Sequence, residues 1–178
     1  MKIISTKFKG LKIIKQKNNV DNRGSLREIH NQKIVDFNNF IFEYCTTSKC
    51  KVLRGFHFQY KYQQAKYVSV VKGKILDCVI DLRKKSKTFG KIFKIELSEK
   101  NCLSLYIPEG FAHAYYSYSK LNIIYYKLSN YYKPEFENGI IWNDKKFKIK
   151  WPIKNPKIST KDKKLNDFNY FLKTFKGL

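Results

Sequence analysis

The alternation of apolar and polar residues between Ile41 and Leu128 is the feature that most constrains the fold of this chain. It is clearest in Lys74–Leu82 (KILDCVIDL) and Lys91–Leu97 (KIFKIEL), where apolar side chains recur at about every second position. A period of two is typical of a β-strand with one buried face. Turn-forming residues separate these segments at positions 72–73, 83–88, 98–101 and 108–110. Many short strands with such spacing predict an all-β sandwich or barrel.

Helical spacing of apolar residues occurs only near the C-terminus. A set of five apolar side chains there would share one face of a short helix: Leu165, Phe168, Phe171, Leu172 and Phe175. We expect this helix to pack on the outside of the sheet or on a partner. The length of 178 residues suits one domain, 1–178, with a peripheral tail from about residue 163. Trp151–Pro156 is expected to be irregular.

The net charge of +23, from 37 Lys and Arg against 14 Asp and Glu, has two explanations. One is a polyanionic partner, such as nucleic acid or a phosphate-bearing ligand. The other is a composition biased towards Lys, Asn, Ile and Tyr, because the lysines are spread from Lys2 to Lys176 without a basic arm. The sequence favours the second explanation and leaves the first open.

The cysteine pattern and the N-terminus indicate a reducing compartment. The four cysteines, Cys45, Cys50, Cys78 and Cys102, form no CxxC pair, and we expect reduced, buried thiols. Lysines interrupt the apolar residues of the N-terminal segment, so no signal-peptide core forms. No stretch approaches the roughly 20 apolar residues of a membrane span. The expected location is the cytoplasm, with no membrane contact.

Two histidines lie in polar interruptions of apolar strands. Arg54 and His57 occur in KVLRGFHFQ, and His113 occurs in IPEGFAHAYY, just after a Pro-Glu-Gly turn. Burying such groups is costly unless they are hydrogen-bonded or paired. They are therefore either satisfied structural groups, which is the commoner case for a histidine in a β-protein, or the lining of a pocket. His30 is expected to be structural or exposed.

A series of motifs resembles the dTDP-4-dehydrorhamnose 3,5-epimerase family, in family order over roughly residues 1–164. The motifs are DNRGSLRE (21–28), VLRGFHFQ (52–59), QAKYV (64–68), DLRKKSKTFGK (81–91), LSEKN (97–101), IPEGFAHAY (107–115), YYKLSNYYKPEFE (125–137), IIWND (140–144), IKWP (149–152) and ISTKD (158–162). The resemblance implies a cupin-like β jelly roll with short peripheral helices. It also implies a homodimer that acts on a nucleotide-diphosphate-linked 4-keto-6-deoxy sugar.

The resemblance implies the roles of four catalytic residues. The ketone acidifies the hydrogens on its neighbouring carbons, so inversion needs a base, an acid across the ring and a positive charge near the enolate oxygen. By similarity, His57 is the base and Asp162 pairs with it. Lys66 lies beside the keto oxygen, and Tyr126 is the acid.

The resemblance also implies the residues around the sugar and the diphosphate. They are Arg23, Glu28, Arg54, Gln59, His113, Tyr132 and Glu137. Many cupins hold a metal with an HxH pair, but this chain has His57-Phe58-Gln59, and glutamine is a poor metal ligand. We therefore expect no metal, and keto-sugar epimerisation needs no redox cofactor.

The substrate is left open by a departure from the family pattern. Phe42, Glu43 and Tyr44, within Ile41–Thr46, stand where the family has a Gln-x-Asn pattern that helps to hold substrate. A 3,5-epimerase is the favoured interpretation, followed by a C3-only enzyme or an enzyme for GDP-linked keto sugars, including heptoses. Two non-enzyme hypotheses are a sugar-binding cupin without activity and a basic nucleic-acid-binding barrel.

Overall fold

The computed structural model describes residues 1–178 as two antiparallel β-sheets and a separate hairpin. The six-stranded sheet has the order β1-β2-β10-β7-β12-β5, and the five-stranded sheet has the order β13-β6-β11-β8-β9. The strands are β1 (Lys2–Ser5), β2 (Lys12–Lys15), β3 (Lys17–Asp21), β4 (Gly24–Glu28), β5 (Phe42–Lys49), β6 (Leu53–Gln59), β7 (Lys66–Lys72), β8 (Lys74–Asp81), β9 (Ile92–Ser98), β10 (Leu103–Ile107), β11 (Phe111–Ser117), β12 (Leu121–Leu128) and β13 (Glu137–Gly139). Strands β3 and β4 form the hairpin.

The main core lies between the two sheets. Val68, Val70 and Ile124 contribute to it from the six-stranded sheet, and Val79 and Leu97 contribute from the five-stranded sheet. All five side chains are essentially inaccessible to solvent, as the alternation of the sequence predicts for one buried face per strand. Two facing antiparallel sheets around one core confirm the predicted all-β, jelly-roll class.

A helix covers the outer face of the five-stranded sheet. Besides a 3₁₀ turn at Pro134–Phe136, the helices are α1 (Thr160–Lys163) and α2 (Phe168–Phe175). Phe171 of α2 packs edge-to-face on Phe58 of β6, with ring centroids 5.4 Å apart. The predicted C-terminal helix and its position on the outside of the sheet are confirmed, except that Leu165 precedes the helix. The N-cap is Asp167, whose Oδ1 accepts a hydrogen bond from the backbone N–H of Tyr170. Neither helix is long and apolar enough to cross a membrane.

The structure corrects the prediction that the four cysteines are buried. Cys78 and Cys102 are buried, but Cys50 is only partly buried and Cys45 is exposed. Cys45 is exposed because the side chains of β5 alternate, with Tyr44 and Thr46 facing the other side of the strand. All four thiols are free.

Candidate active site

A β-bulge in β6 brings Arg54 and His57 to one cavity. Residues three apart in a regular strand lie on opposite faces. Here His57 pairs with His113 of β11 and Arg54 pairs with Tyr115, so three steps along β6 match two steps along β11. The extra residue shifts the alternation, and both side chains consequently line the same cavity.

Gly55 allows β6 to approach β11 closely inside this bulge. Its φ is +114°, and a Cβ added there would lie 2.4 Å from the carbonyl oxygen of His113 and 2.6 Å from the Cα of Ala114. Only glycine fits such a position without a shift of the backbone. The close approach places His57 and His113 side by side on neighbouring strands.

Helix α1 holds Asp162 against His57. The hydroxyl oxygen of Ser159, the N-cap, accepts a hydrogen bond from the backbone N–H of Asp162 at 3.0 Å. The carboxylate then has two partners: its Oδ1 lies 2.8 Å from His57 Nε2, and its Oδ2 accepts a hydrogen bond from the Gly55 N–H at 3.1 Å. The Asp162 side chain is only 4% exposed. The fold therefore brings two residues that are 105 positions apart into one largely buried pair.

The Asp162 carboxylate fixes the tautomer of His57. Burial raises the pKa of Asp162, but the hydrogen bonds from His57, Gly55 and Ser159 together with the charge on His57 outweigh it, so the pKa lies below its ordinary value. An ionised carboxylate can only accept a hydrogen bond, so Nε2 of His57 carries the proton. In the neutral ring Nδ1 is then the basic nitrogen.

Glu137 and its partners lie on the Nδ1 side of His57. Glu137 Oε1 is 3.9 Å from His57 Nδ1. Its Oε2 accepts hydrogen bonds from the Tyr132 hydroxyl, at 2.5 Å, and from Lys161. Burial raises the pKa of Glu137, but the hydrogen bonds from Lys161 and Tyr132 outweigh it and keep the pKa below its ordinary value.

Two adjoining cavities share Tyr44, His57 and Lys66. The larger, of about 180 Å³, is lined by Tyr44, Thr46, Arg54, His57, Lys66, His113, Tyr115 and Tyr126. The smaller, of about 90 Å³, is lined by Tyr44, His57, Phe58, Gln59, Gln64, Lys66, Tyr132 and Glu137. We call them the larger and the smaller cavity.

Tyr126 reaches the larger cavity from the sheet opposite His57. It lies on β12 of the six-stranded sheet, whereas His57 lies on β6 of the five-stranded sheet. Burial raises the pKa of Tyr126 well above its ordinary value, with further rises from Tyr115 and Tyr44 that Arg54 offsets only in part. The phenol is therefore protonated at neutral pH.

Lys66 has a lowered pKa because it is desolvated. Burial lowers the pKa, the negative charges of Glu137 and Asp77 offset this effect only in part, and the resulting pKa is about 8. No carboxylate lies within salt-bridge distance of its ammonium group. The charge of Lys66 is thus available to a ligand in the cavities, and it titrates near neutrality.

Asp77, a site residue not predicted from the sequence, forms a second buried pair with His113. Asp77 Oδ2 lies 2.8 Å from His113 Nε2, and the exposed fractions of the two side chains are 0% and 6%. Burial raises the pKa of Asp77, although His113 and Lys66 act in the opposite direction. Its other oxygen, Oδ1, has no hydrogen-bond partner. The signal in the sequence was an aspartate within the apolar strand KILDCVID.

Comparisons with known proteins agree with this geometry. A family model described as dTDP-4-dehydrorhamnose 3,5-epimerase matches residues 5–170. A protein of that name from Shigella flexneri is 38% identical over 181 residues, covering 97% of this chain and 100% of that protein. The chain belongs to this family. The family assignment made from the motifs is therefore confirmed.

Solved structures of family members have the same fold. The dTDP-4-dehydrorhamnose 3,5-epimerase from Bacillus anthracis, with TDP and PPi bound, is 34% identical with a TM-score of 0.90, covering 93% of this chain and 98% of that one. An epimerase from Legionella pneumophila in complex with dTDP-4-keto-L-rhamnose is also 34% identical, with a TM-score of 0.89, covering 94% and 93% of the two chains.

Five of the seven ligand residues implied by the family lie at the two cavities. Arg54 is at the rim of the larger cavity and is exposed; its Nε donates to Ser48 Oγ at 3.2 Å. Gln59 lines the smaller cavity, but its amide is engaged by the backbone: Nε2 donates to the Tyr62 carbonyl and Oε1 accepts from the Lys133 N–H. Gln59 therefore anchors the loop before Pro134–Phe136.

The structure does not bring Arg23 and Glu28 to these cavities within one chain. Arg23 is 86% exposed at the tip of the β3–β4 hairpin and pairs with Asp21 at 2.6 Å. It lines a separate surface cavity of about 480 Å³ formed by the hairpin itself. The ligand roles of both residues stay predictions.

The described chain has no group of three or more His, Cys, Asp or Glu side chains that could hold a metal ion. Gln59 occupies the position that the second histidine of an HxH pair would take, and its amide is already bonded to the backbone.

Proposed function

We propose that this chain is an epimerase that inverts C3 and C5 of a dTDP-linked 4-keto-6-deoxy sugar. The observation that carries the proposal is that one cavity is faced by a paired histidine from one sheet and a protonated phenol from the other. Inversion requires removal of a proton from one face of a carbon and delivery from the opposite face. A base and an acid on opposing walls supply those two positions.

The proton steps follow from the hydrogen bonds. His57 Nδ1 takes the proton from a carbon beside the C4 ketone, and Asp162 stabilises the resulting imidazolium through Nε2. The C–H bonding electrons form a carbon–carbon double bond, and the ketone becomes an enolate. Lys66 provides a positive charge for the enolate oxygen. Tyr126 gives its proton to the same carbon on the other face as the ketone reforms. The phenolate then regains a proton from solvent, and the His57 imidazolium releases the abstracted proton to solvent.

The nucleotide and the sugar are inferred from the relatives. The matched proteins carry the name dTDP-4-dehydrorhamnose 3,5-epimerase, and the Bacillus anthracis structure has TDP and PPi bound. Arg54 supports a diphosphate because it is exposed at the rim of the larger cavity, and a guanidinium can bind phosphate oxygens bidentately.

The experiment is incubation of the protein in heavy water with a panel of 4-keto-6-deoxy sugars linked to dTDP and to GDP, followed by NMR. We expect deuterium at both C3 and C5 of the dTDP-linked sugar. Exchange at C3 alone would identify a C3 epimerase, and preference for the GDP-linked sugar would overturn the nucleotide assignment. Absence of exchange with every sugar would contradict the proposed activity.

We also propose that the protein works as a homodimer, in which the β3–β4 hairpin is covered by a second copy. Val20 and Leu26 on this hairpin are 72% and 66% exposed, and the register places them on opposite faces, so each face has a large apolar side chain that the chain itself does not cover. Arg23, expected near a ligand, lies on the same hairpin. A second copy would account for both facts, because the hairpin of one copy could then reach the site of the other.

Sedimentation velocity with hairpin variants tests the dimer. Leu26→Lys should shift the protein towards monomer, whereas Leu121→Lys, at a 46% exposed leucine outside the hairpin, should leave the dimer intact. Mixing inactive Arg23→Ala and His57→Ala proteins should restore activity in part, since one mixed site would have both residues intact. A monomeric wild type, or mixtures without activity, would contradict the proposal.

A further inference from the structure

Tyr44 stacks on the candidate acid. It lies on β5 directly opposite Tyr126 of β12 in the antiparallel register. The two ring centroids are 5.0 Å apart with an interplanar angle of 27°. Stacked aromatic pairs of this kind are stabilising beyond the area they bury, so the Tyr44 ring helps to fix the Tyr126 ring.

Tyr44 also lines both cavities. It is one of three residues that line both of them, and the other two are His57 and Lys66. Tyr126 lines only the larger cavity, and Glu137 lines only the smaller one. Tyr44 therefore lies, with His57 and Lys66, at the boundary between the cavity that contains the acid and the cavity beside Glu137.

The Tyr44 side chain is uncharged in the neutral pH range. Burial, with smaller contributions from Tyr115 and Glu137 and a slight opposing effect of Arg54, raises the pKa of Tyr44 to about 12. The phenol is protonated throughout the neutral range, so it can donate a hydrogen bond but does not act as a base. The Tyr44 hydroxyl makes no hydrogen bond within the chain. It is not one of the fully buried polar atoms that lack a hydrogen-bond partner.

We propose that Tyr44 is a positioning residue that determines which carbon beside the ketone lies between His57 and Tyr126. The inference rests on the proposed function and deepens it. The base and the acid act on a carbon only when it lies within about 3–3.5 Å of them, and a displacement of about 1 Å can reduce the rate roughly 10²-fold. Without the ring, the sugar could slide towards the smaller cavity, and Tyr126 would lose its stacking partner. The two carbons, which lie on either side of the ketone, would be affected unequally.

The test compares deuterium incorporation at C3 and at C5 in two variants. Tyr44→Leu removes the flat ring, and we expect the ratio of the two exchange rates to change at least about 10-fold. We also expect the effect on kcat to be larger than the effect on KM, with kcat falling. Tyr44→Phe retains the ring and should keep the ratio of the wild type. Tyr125→Phe is the matched control, because Tyr125 is the neighbouring tyrosine on the outer face of β12, where it bonds to Glu43.

Three outcomes separate this inference from the proposed function. An inactive wild type contradicts the function and the inference together. An active wild type whose exchange ratio is unchanged in Tyr44→Leu, whatever the change in kcat, overturns the inference alone. If the melting curve shows that Tyr44→Leu does not fold, Tyr44→Trp is used instead, because it places a larger aromatic ring at the same position. An unchanged exchange ratio in Tyr44→Trp likewise overturns the inference.

Discussion

The charge of Lys66 is the residue-level property of the site that is most sensitive to pH. Because burial lowers its pKa to about 8, the ammonium is present below that pH and is lost as the pH rises through it. If this charge stabilises the enolate, kcat/KM should fall above about pH 8. Lys66→Arg keeps the charge at high pH, so a pH profile should show this alkaline limb moving upwards. If the fall in kcat/KM stays near pH 8 in Lys66→Arg, the titrating group is not Lys66.

Tyr126 and Tyr125 are consecutive tyrosines on opposite faces of β12, and of the two only Tyr126 lines the larger cavity. Tyr126→Phe removes the proton donor but leaves His57 in place, so proton removal should continue while inversion fails. We expect complete epimerisation to fall about 10²- to 10⁴-fold, the usual contribution of a general acid, and initial exchange to fall less. NMR measures both in one experiment. Equal loss of exchange and inversion would show that Tyr126 does not act after proton removal.

At the level of single elements, the bulge in β6 depends on Gly55. Gly55→Ala should destabilise the protein, because the added Cβ would meet the His113 carbonyl oxygen at 2.4 Å. Gly24→Ala is the matched control, since Gly24 also has a positive φ of +134° but a Cβ there has no neighbour within 4 Å. We expect Gly55→Ala to lower the free energy of unfolding by about 1–3 kcal/mol more than the control, measured by urea denaturation. If the two variants lose equal amounts of unfolding free energy, β11 can move away from β6 without a large loss of stability.

The sequence predicted the elements of the site better than their arrangement. The turns around Gly73 and Gly110 and the strands on either side were predicted from period and punctuation, and both glycines have positive φ. Strand alternation alone places Arg54 and His57 on opposite faces, because it cannot locate a bulge. Helix α1 was not predicted either, since four residues are too few for a periodic signal.

At the scale of the whole molecule, most of the strands that the sequence did not predict lie in the N-terminal segment. Strands β1, β3 and most of β4 are exposed on both faces, so their sequences have no alternation that marks a strand. The residues between the sheets were predictable, because one face of each strand packs into a common core. The stacking of Tyr44 on Tyr126 and the pairing of Asp77 with His113 were not predictable, since each contact joins strands that are distant in the sequence.

Helix α2 seals the five-stranded sheet behind the strand that carries His57. Phe171 is 1% exposed and packs on Phe58, so Phe171→Ala should lower the free energy of unfolding by about 3–5 kcal/mol. Tyr170→Ala, at a 42% exposed neighbour on the same helix, should cost much less. Chemical denaturation of both variants measures the difference. Similar small losses would show that the helix does not contribute to the stability of the sheet.

The central claim is that the two sheets hold a basic imidazole and a phenol on opposite sides of one sugar. Its most direct test is the rate of deuterium incorporation from heavy water into a dTDP-linked 4-keto-6-deoxy sugar by His57→Ala, with His30→Ala as the control because His30 lines neither cavity. The account predicts that His57→Ala lowers this rate at least about 10²-fold at an unchanged melting temperature, while the control retains it. Incorporation at the wild-type rate in folded His57→Ala protein would contradict the account.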